Sequence, residues 1–340
     1  MERTPEAEGL SVAQAIVLRQ HGGPETLRLE RVEIGAPAAG ELHIRQTAVG
    51  VNFHDIYVRS GSYRTLALPG IPGIEGVGIV EAIGPGVQGF ALGDRVGYVS
   101  GQYGAYAGRR NLPASLALKL PDAMDDRVAA AMLLKGLTAE MLLRRVTHVG
   151  SGTTILVHAA AGGVGRLLCQ WAAQLGATVI GTVGSDAKSR VARDAGCHHT
   201  ILYRSVDFVE AVRRITGGRG VDIAFDSVGK DTFYGSLDAL AKLGHLVNFG
   251  QSSGPVEPLQ VNRLAAKSNS LTRPILFHHT ENPEHLRAMA ASLFEAFDRG
   301  ILTAVLGRAL PLAEAARAHQ ALEARSGEGP FILIPGDDDA

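Results

Sequence analysis

Hydrophobic and polar positions alternate in short blocks along the first third of the chain. Residues 13–18, 41–51, 79–83 and 94–99 alternate or run apolar, and turn clusters stand between them, among them His21-Gly22-Gly23-Pro24, Leu68-Pro69-Gly70-Ile71-Pro72-Gly73 and Gly84-Pro85-Gly86. Short strand-like blocks punctuated by Gly and Pro predict an antiparallel, barrel-like β domain. The period then changes. Ala129, Met132, Leu133, Leu137, Met141 and Leu142 recur at helical spacing, which predicts one helix over 125–146.

From residue 153 the rhythm is strand, helix, strand, helix. Strands are expected at 154–158, 178–182, 200–203, 223–226 and 246–249, with helices at 165–175, 186–195, 207–216 and 231–242. Such alternation implies a parallel sheet covered on both faces. The tail reads as helices at 283–299 and 312–325 and a strand at 331–334. It is expected to return to the first domain. The division is therefore 1–136 with 275–340 for the β domain and 137–274 for the α/β unit, with residues 337–340 as a frayed acidic end. No internal repeat is visible.

Composition narrows the function classes. The 340 residues are 46% hydrophobic and 20% charged, a globular mix, and the length suits roughly two domains. Lys plus Arg (33) nearly cancels Asp plus Glu (34), and aromatics are 5%. That balance speaks against nucleic acid or an anionic membrane surface as partner. Two cysteines, Cys169 and Cys197, cannot build a disulfide framework or a four-thiolate zinc site. The first six residues are acidic and lack the apolar core of a signal peptide. The longest uncharged stretch, 146–165, holds His148, His158 and several threonines and glycines, so it does not read as a membrane span. A cytoplasmic protein is expected.

Glycine is plentiful at 42 residues, and its sharpest cluster carries candidate chemistry. In 155–165 an apolar strand runs through His158, Ala159, Ala160 and Ala161 into Gly162-Gly163-Val164-Gly165; a helix follows, with Val164, Leu167, Leu168, Trp171 and Leu175 on its apolar positions, then Gly176 and a second strand. In this βαβ setting, missing side chains let a pyrophosphate approach backbone N–H groups at the positive helix end. The turn departs from G-x-G-x-x-G by placing Ala160 first. A tight packing turn is the alternative reading.

The second strand ends without the acidic residue that accepts hydrogen bonds from an NAD ribose. Gly184 and Ser185 follow instead, and then Lys188 in the first turn of a helix. A cation there is disfavoured unless an anion shares the site, and an adenosine 2′-phosphate is such an anion. Lys188 as a solvated surface lysine remains the other option.

These features, taken with Asn52-Phe53-His54-Asp55-Ile56-Tyr57, Lys135-Gly136-Leu137-Thr138, Asp226-Ser227-Val228-Gly229, Phe249-Gly250-Gln251-Ser252-Ser253-Gly254 and Thr272-Arg273-Pro274, resemble the zinc-free quinone oxidoreductase branch of the medium-chain dehydrogenase/reductase superfamily, the zeta-crystallin relatives. The likeness spans nearly the whole chain and is nearest the bacterial NADPH:quinone reductase type. It implies an α/β fold class: a GroES-like β-barrel domain plus a Rossmann doubly wound parallel sheet, with NADPH between the two domains. By position it implies that Asn52 and Tyr57 border the nicotinamide and substrate, and that Thr138 faces the nicotinamide end. Ala160, Gly162, Gly163 and Val164 would hold the pyrophosphate. Lys188 and Tyr203 would contact the 2′-phosphate in a pocket shaped by Gly184 and Ser185. Val228, Gly250, Gln251, Ser252 and Ser253 would line the ribose and nicotinamide path, with Arg273 and Arg325 near the cleft as further cofactor contacts. Gln251 replaces an expected Asn. Ordinary packing would also account for Tyr57 and Thr138, and a surface helix end for Arg325.

Zinc-dependent members of the superfamily carry Cys where Asn52 stands and His-Glu where Ile74-Glu75 stand, and neither Asn nor Ile replaces a thiolate or an imidazole. No metal is expected. A quinone, already electron-poor, needs no Lewis acid to accept hydride, and the protein's task is to hold two rings together and keep water out. Tyr57 is a candidate proton or hydrogen-bond donor. The resemblance thus implies direct hydride transfer from NADPH to a quinone in a homodimeric enzyme. The same machinery suits α,β-unsaturated carbonyls, and a non-enzymatic crystallin-like or RNA-binding role is the rival.

Overall fold

The computed structural model describes residues 11–324 and 329–336. Arg325, the acidic end at 337–340 and the first six residues lie outside them. The described residues up to Leu134 and from Ala304 onward form one compact unit, and Lys135–Thr303 form the other.

In the first unit, Glu41–Val51 is the strand around which the rest assembles. It pairs antiparallel with Glu75–Ile83, with Arg109–Pro113 and with Phe331–Ile334. Arg95–Val99 and then Leu118–Lys119 extend the sheet on one side, and Arg308–Pro311 joins Phe331–Ile334 in parallel on the other. A separate hairpin pairs Ser11–Leu18 with Leu27–Ile34, a strand that the sequence pattern did not mark because its burial alternates only weakly. Ile16, Leu18, Leu42, Ile44, Val80, Val96, Tyr98, Tyr106 and Leu112 fill the core. One helix was missed: Phe53–Ser60. Its signals are local. Asp55 accepts from the Asn52 N–H at 2.8 Å, and Gly61 ends the helix at φ +81°, where a Cβ is unwelcome.

The second unit is a six-stranded parallel sheet in the order His199–Leu202, Thr178–Val183, Thr154–Val157, Val221–Asp226, Leu240–Asn248, Ser270–Thr272. This is the doubly wound order with the reversal beside the first strand, at whose carboxyl end ligands bind. Two expected helices are shorter than their periodicity suggests. The first is α-helical over Asp126–Glu140 and widens to a π turn at Met141–Val146, where Thr147 N–H reaches back to Leu142 O at 3.2 Å. The second, expected to run to residue 242, occupies Phe233–Ala239 and yields to a strand at Leu240. Leu240 and Ala241 are buried in the sheet, and Leu243, exposed at φ +64°, lies outside the right-handed helical region, so the helix does not continue through it.

The chain also leaves the second unit at Thr303, whereas the sequence reading returned it at 275. The segment between is tied to that unit. Leu293, on the helix Pro283–Asp298, lies directly over Gly136, and Gln170 and Thr303 exchange two hydrogen bonds, at 2.8 and 3.2 Å.

A buried polar chain braces the first unit. Arg59 Nη1 donates to His319 Nδ1 (3.4 Å), leaving the Nε2 proton for Tyr106 O (2.9 Å), and Tyr106 donates to Asp55 Oδ2 (3.1 Å). Arg59 also makes a two-pronged pair with Glu323. Burial, assisted by the Arg59 charge, drives the His319 pKa down to about 3. The folded state therefore binds fewer protons than the unfolded one below pH 6.5. Stability should be full above that pH and fall as the pH drops toward 3, with a slope of about 1.4 kcal/mol per pH unit for this one group. Denaturant titrations from pH 7 to 4 should show this loss, and His319→Gln should flatten the slope by about one proton.

Candidate functional site

The strand Thr154–Val157 ends in a turn built for close approach. Ala159 takes φ +52° and its carbonyl accepts from Gly162 N–H at 2.7 Å. The helix Gly163–Gln174 starts at once, and a Cβ on Gly165 would run into that same Ala159 carbonyl. A Cβ on Gly163 would stand 2.9 Å from Lys135 Cδ, so the buried lysine stem already covers that glycine. The N-cap, Gly162, has no side-chain oxygen, whereas Ser185 and Asp207 cap the next two helices. The N–H groups of Gly163, Val164 and Gly165 thus have no intrahelical acceptor and stand at the positive helix end, the donor set a pyrophosphate requires. Ala160 is fully buried and packs toward Gly181; its role is support.

The neighbouring strand carries the second cluster. Leu202 pairs with Val183, which puts Tyr203 beside Gly184. A Cβ on Gly184 would lie 3.0 Å from the Tyr203 hydroxyl and 3.5 Å from Arg204 Nε. Ser185 caps the helix Asp186–Asp194 by accepting from Lys188 N–H at 3.3 Å. Gly184 and Tyr203 are thus side by side, next to the helix that Ser185 caps and that holds Lys188 in its first turn. Arg204 joins them unforeseen, its only sequence signal being adjacency to Tyr203.

Two loops close the carboxyl end of the sheet. Asp226 Oδ1 accepts from Val228 N–H (2.8 Å), Gly229 N–H (3.1 Å) and Thr232 Oγ1 (2.8 Å). Ser253 donates from its hydroxyl and its N–H to the Val228 carbonyl, both at 2.8 Å, and Ser252 N–H reaches Ser227 O at 3.2 Å. Gly250 and Gln251 lie against Ser227 and Gly229 with no space for a further Cβ. Arg273 Nη1 is given to the Asn248 side chain and to the carbonyls of Asn248 and Gly250, so it holds this loop in shape. Thr138 is half-buried one turn beyond Lys135. Beneath the sheet end, His158 accepts from Thr182 and passes its Nε2 proton to Ser236, both at 2.9 Å. Burial lowers the His158 pKa against the upward pull of Asp226, and keeps the ring neutral.

The first unit contributes a separate constellation. Asn52 Nδ2 donates to Glu75 Oε2 at 2.8 Å, and Glu75 Oε1 accepts from Leu134 N–H at 2.7 Å. Both side chains are buried, as is Ile74. Glu75 was not among the expected site residues, although it follows Ile74 directly. Along the same helix, Tyr57 packs on Tyr63 with ring centres 5.0 Å apart, and His54 meets Tyr63 edge-on at 5.5 Å. This aromatic wall suits a flat, electron-poor ring. Only Tyr57 of the wall was anticipated, because Tyr63 and Tyr103 are brought to it by folding.

Comparison with known proteins bears on both units. Residues 38–122 match the model "Alcohol dehydrogenase GroES-like domain", and residues 163–292 match "Zinc-binding dehydrogenase". A quinone oxidoreductase of Pseudomonas aeruginosa is 43% identical, the match covering 95% of this chain and 100% of that protein. A 2-haloacrylate reductase of a Burkholderia species is 41% identical, covering 95% and 99%. The crystal structure of Escherichia coli quinone oxidoreductase complexed with NADPH superimposes with a TM-score of 0.92 at 41% identity, covering 95% of this chain and all of that one.

The turn supplies a direct test. Gly163→Val places a branched side chain where the Lys135 stem and an incoming pyrophosphate must both fit. Dinucleotide affinity, read by fluorescence titration, should fall by tenfold or more (about 1.4 kcal/mol) while the circular dichroism spectrum and melting temperature stay near those of the parent.

Proposed function

The chain belongs to the quinone oxidoreductase family of the medium-chain dehydrogenase/reductase superfamily, and on that premise we propose that it is an NADPH-dependent quinone reductase that transfers hydride directly and without zinc. The observation that carries the reading is Gly184 set against the Tyr203 hydroxyl and Arg204 Nε, next to the helix that Ser185 caps and that holds Lys188 in its first turn. A guanidinium and a phenol beside a side-chain-free glycine, with a lysine in the adjoining first turn, fit an adenosine 2′-phosphate and suit an NAD ribose poorly.

Bound NADPH supplies the two-electron hydride donor. The chain's own residues bind and orient. The uncapped helix Gly163–Gln174 receives the pyrophosphate, and the loops at Val228 and Gly250–Ser253, braced by Asp226 and Arg273, set the ribose path. In the first unit Glu75 fixes the Asn52 carboxamide, while Tyr57 and Tyr63 offer the face for the acceptor ring. Holding the rings together and excluding water is what this reaction asks of a protein.

One matched model is named for zinc, but the donor set does not suit that ion. Asn52 is committed to Glu75 and Ile74 is apolar, and among the described residues no three His, Cys, Asp or Glu gather as a metal site. Purified protein should carry far less than one zinc per chain by elemental analysis, and turnover should survive chelators.

Reduction of α,β-unsaturated carbonyls is the second reading, favoured by the likeness to the 2-haloacrylate reductase. NADPH oxidation measured across quinones and conjugated acids or aldehydes separates the two. The near-neutral charge and few aromatics make a nucleic-acid role the weaker rival, and among the described residues no helix is long and apolar enough to cross a membrane. A homodimer in the cytoplasm completes the proposal.

Cofactor choice is testable at one side chain. A charge-assisted hydrogen bond contributes about 1.5–3 kcal/mol, roughly tenfold to 150-fold in affinity. Lys188→Ala should therefore raise the KM for NADPH by at least about tenfold and leave that for NADH nearly unchanged. Equal use of both cofactors by the parent protein, or equal weakening of both by the substitution, would overturn the assignment.

A further inference from the structure

The wall beside Tyr57 contains a polar chain of three side chains. Thr65 is exposed, Tyr103 is only 7% exposed, and His54 is half-buried on the helix that carries Tyr57. The Tyr103 hydroxyl meets Thr65 Oγ1 on one side and His54 Nε2, at 3.1 Å, on the other. We propose that Thr65, Tyr103 and His54 form a proton relay running from solvent to the substrate face of the helix Phe53–Ser60, supplying the proton that completes reduction. The inference rests on the reductase reading above.

Three observations carry it. Thr65 at one end is exposed, whereas Tyr103 in the middle is buried and His54 is half-buried, which gives the relay one wet end. The three groups admit two complementary proton arrangements. In one, Thr65 donates to Tyr103 and Tyr103 donates to His54 Nε2. In the other, His54 Nε2 donates to Tyr103 and Tyr103 donates to Thr65. Passing between them moves one proton along the chain without breaking any contact. Finally, Tyr103 holds φ +54° between Ile71-bound Gly104 and Gln102, a conformation that costs a bulky L-residue free energy and that places this hydroxyl between the other two.

Protonation states agree with the geometry. Burial brings the His54 pKa down to about 4, so the ring is neutral near pH 7, with one nitrogen able to accept and the other able to donate. Burial also raises the Tyr103 pKa, which keeps its proton in place. His54 lies one turn before Tyr57 on the same helix face, and its ring meets that of Tyr63.

The balance is as follows. Hydride brings two electrons and one hydrogen to a quinone oxygen or to the conjugated carbon of an enone, leaving an oxyanion on the product. His54 Nδ1 gives its proton to that oxygen. The Tyr103 proton moves to Nε2, the Thr65 proton to Tyr103, and a water proton to Thr65, so that hydroxide remains in solvent and no electron passes through the relay.

The test compares parent protein with Tyr103→Phe, which keeps the ring, and with Thr65→Val at the exposed end. A general acid contributes about 10²–10⁴-fold, so loss of a later link should lower kcat by about tenfold or more in Tyr103→Phe, with the KM for NADPH within twofold of the parent. The solvent deuterium isotope effect on kcat should rise, and the effect of deuterium at nicotinamide C4 should shrink toward one. Thr65→Val should shift both isotope effects the same way. Purely structural damage would instead move cofactor KM and leave the isotope effects in proportion. If active Tyr103→Phe and Thr65→Val proteins keep kcat within twofold and both isotope effects unchanged, the relay is overturned and the reductase reading stands. If the parent protein oxidises NADPH with neither quinones nor enones, the reductase reading falls and the relay falls with it.

Discussion

No side chain can stand where the Ala159 carbonyl meets Gly165. That contact lets the strand Thr154–Val157 turn directly into the helix Gly163–Gln174, and much of the second unit follows from it. The helix packs Leu167, Leu168 and Trp171 into the core because it leaves the strand at that angle. Its first N–H groups are left without a cap because the N-cap, Gly162, has no side-chain oxygen. Gly181, pressed by Ala160 and Cys197, allows the next strand to lie close enough to bring Gly184 and Tyr203 alongside. A turn that saves space in the fold thereby also leaves helix N–H groups of the kind that phosphate binds.

The first unit is organised by buried carboxylates rather than by missing side chains. Asp55 and Glu75 are both fully buried, and each is given hydrogen bonds by the backbone or by neutral donors. An ion taken out of water is expensive unless its lone pairs are met. Here the donors include the N–H and the carboxamide of Asn52, so the hydrogen bonds that the two acids accept also fix Asn52 in place.

Neutral histidines recur in both units. His54, His158 and His319 all have pKa values lowered by burial; His158 and His319 each bridge hydroxyl or guanidinium partners through both ring nitrogens, and His54 meets the Tyr103 hydroxyl through Nε2. In His158 and His319 the bridging is structural. The His54 contact instead opens toward solvent through Thr65, which is why that ring alone suggests proton movement.

The sequence by itself determined whatever depends on neighbours along the chain. The βαβ rhythm, the glycine turn, the missing acid after the second strand and the absence of thiolate and imidazole at positions 52 and 74 are all legible there, because periodicity, turn chemistry and donor type are local properties. The helix Phe53–Ser60 was legible too, through Asn52, Asp55 and Gly61, though its pattern is short and was passed over. Only the tertiary structure decided the rest. Arg204 reaches Gly184, Tyr103 reaches His54 across 49 positions, and Glu75 reaches Asn52 across 23. It also decided that Leu240 begins a strand, since burial in the sheet outweighs helical spacing there. These contacts join residues distant in sequence, and no local pattern encodes which distant strand or loop a side chain will meet once the core has closed.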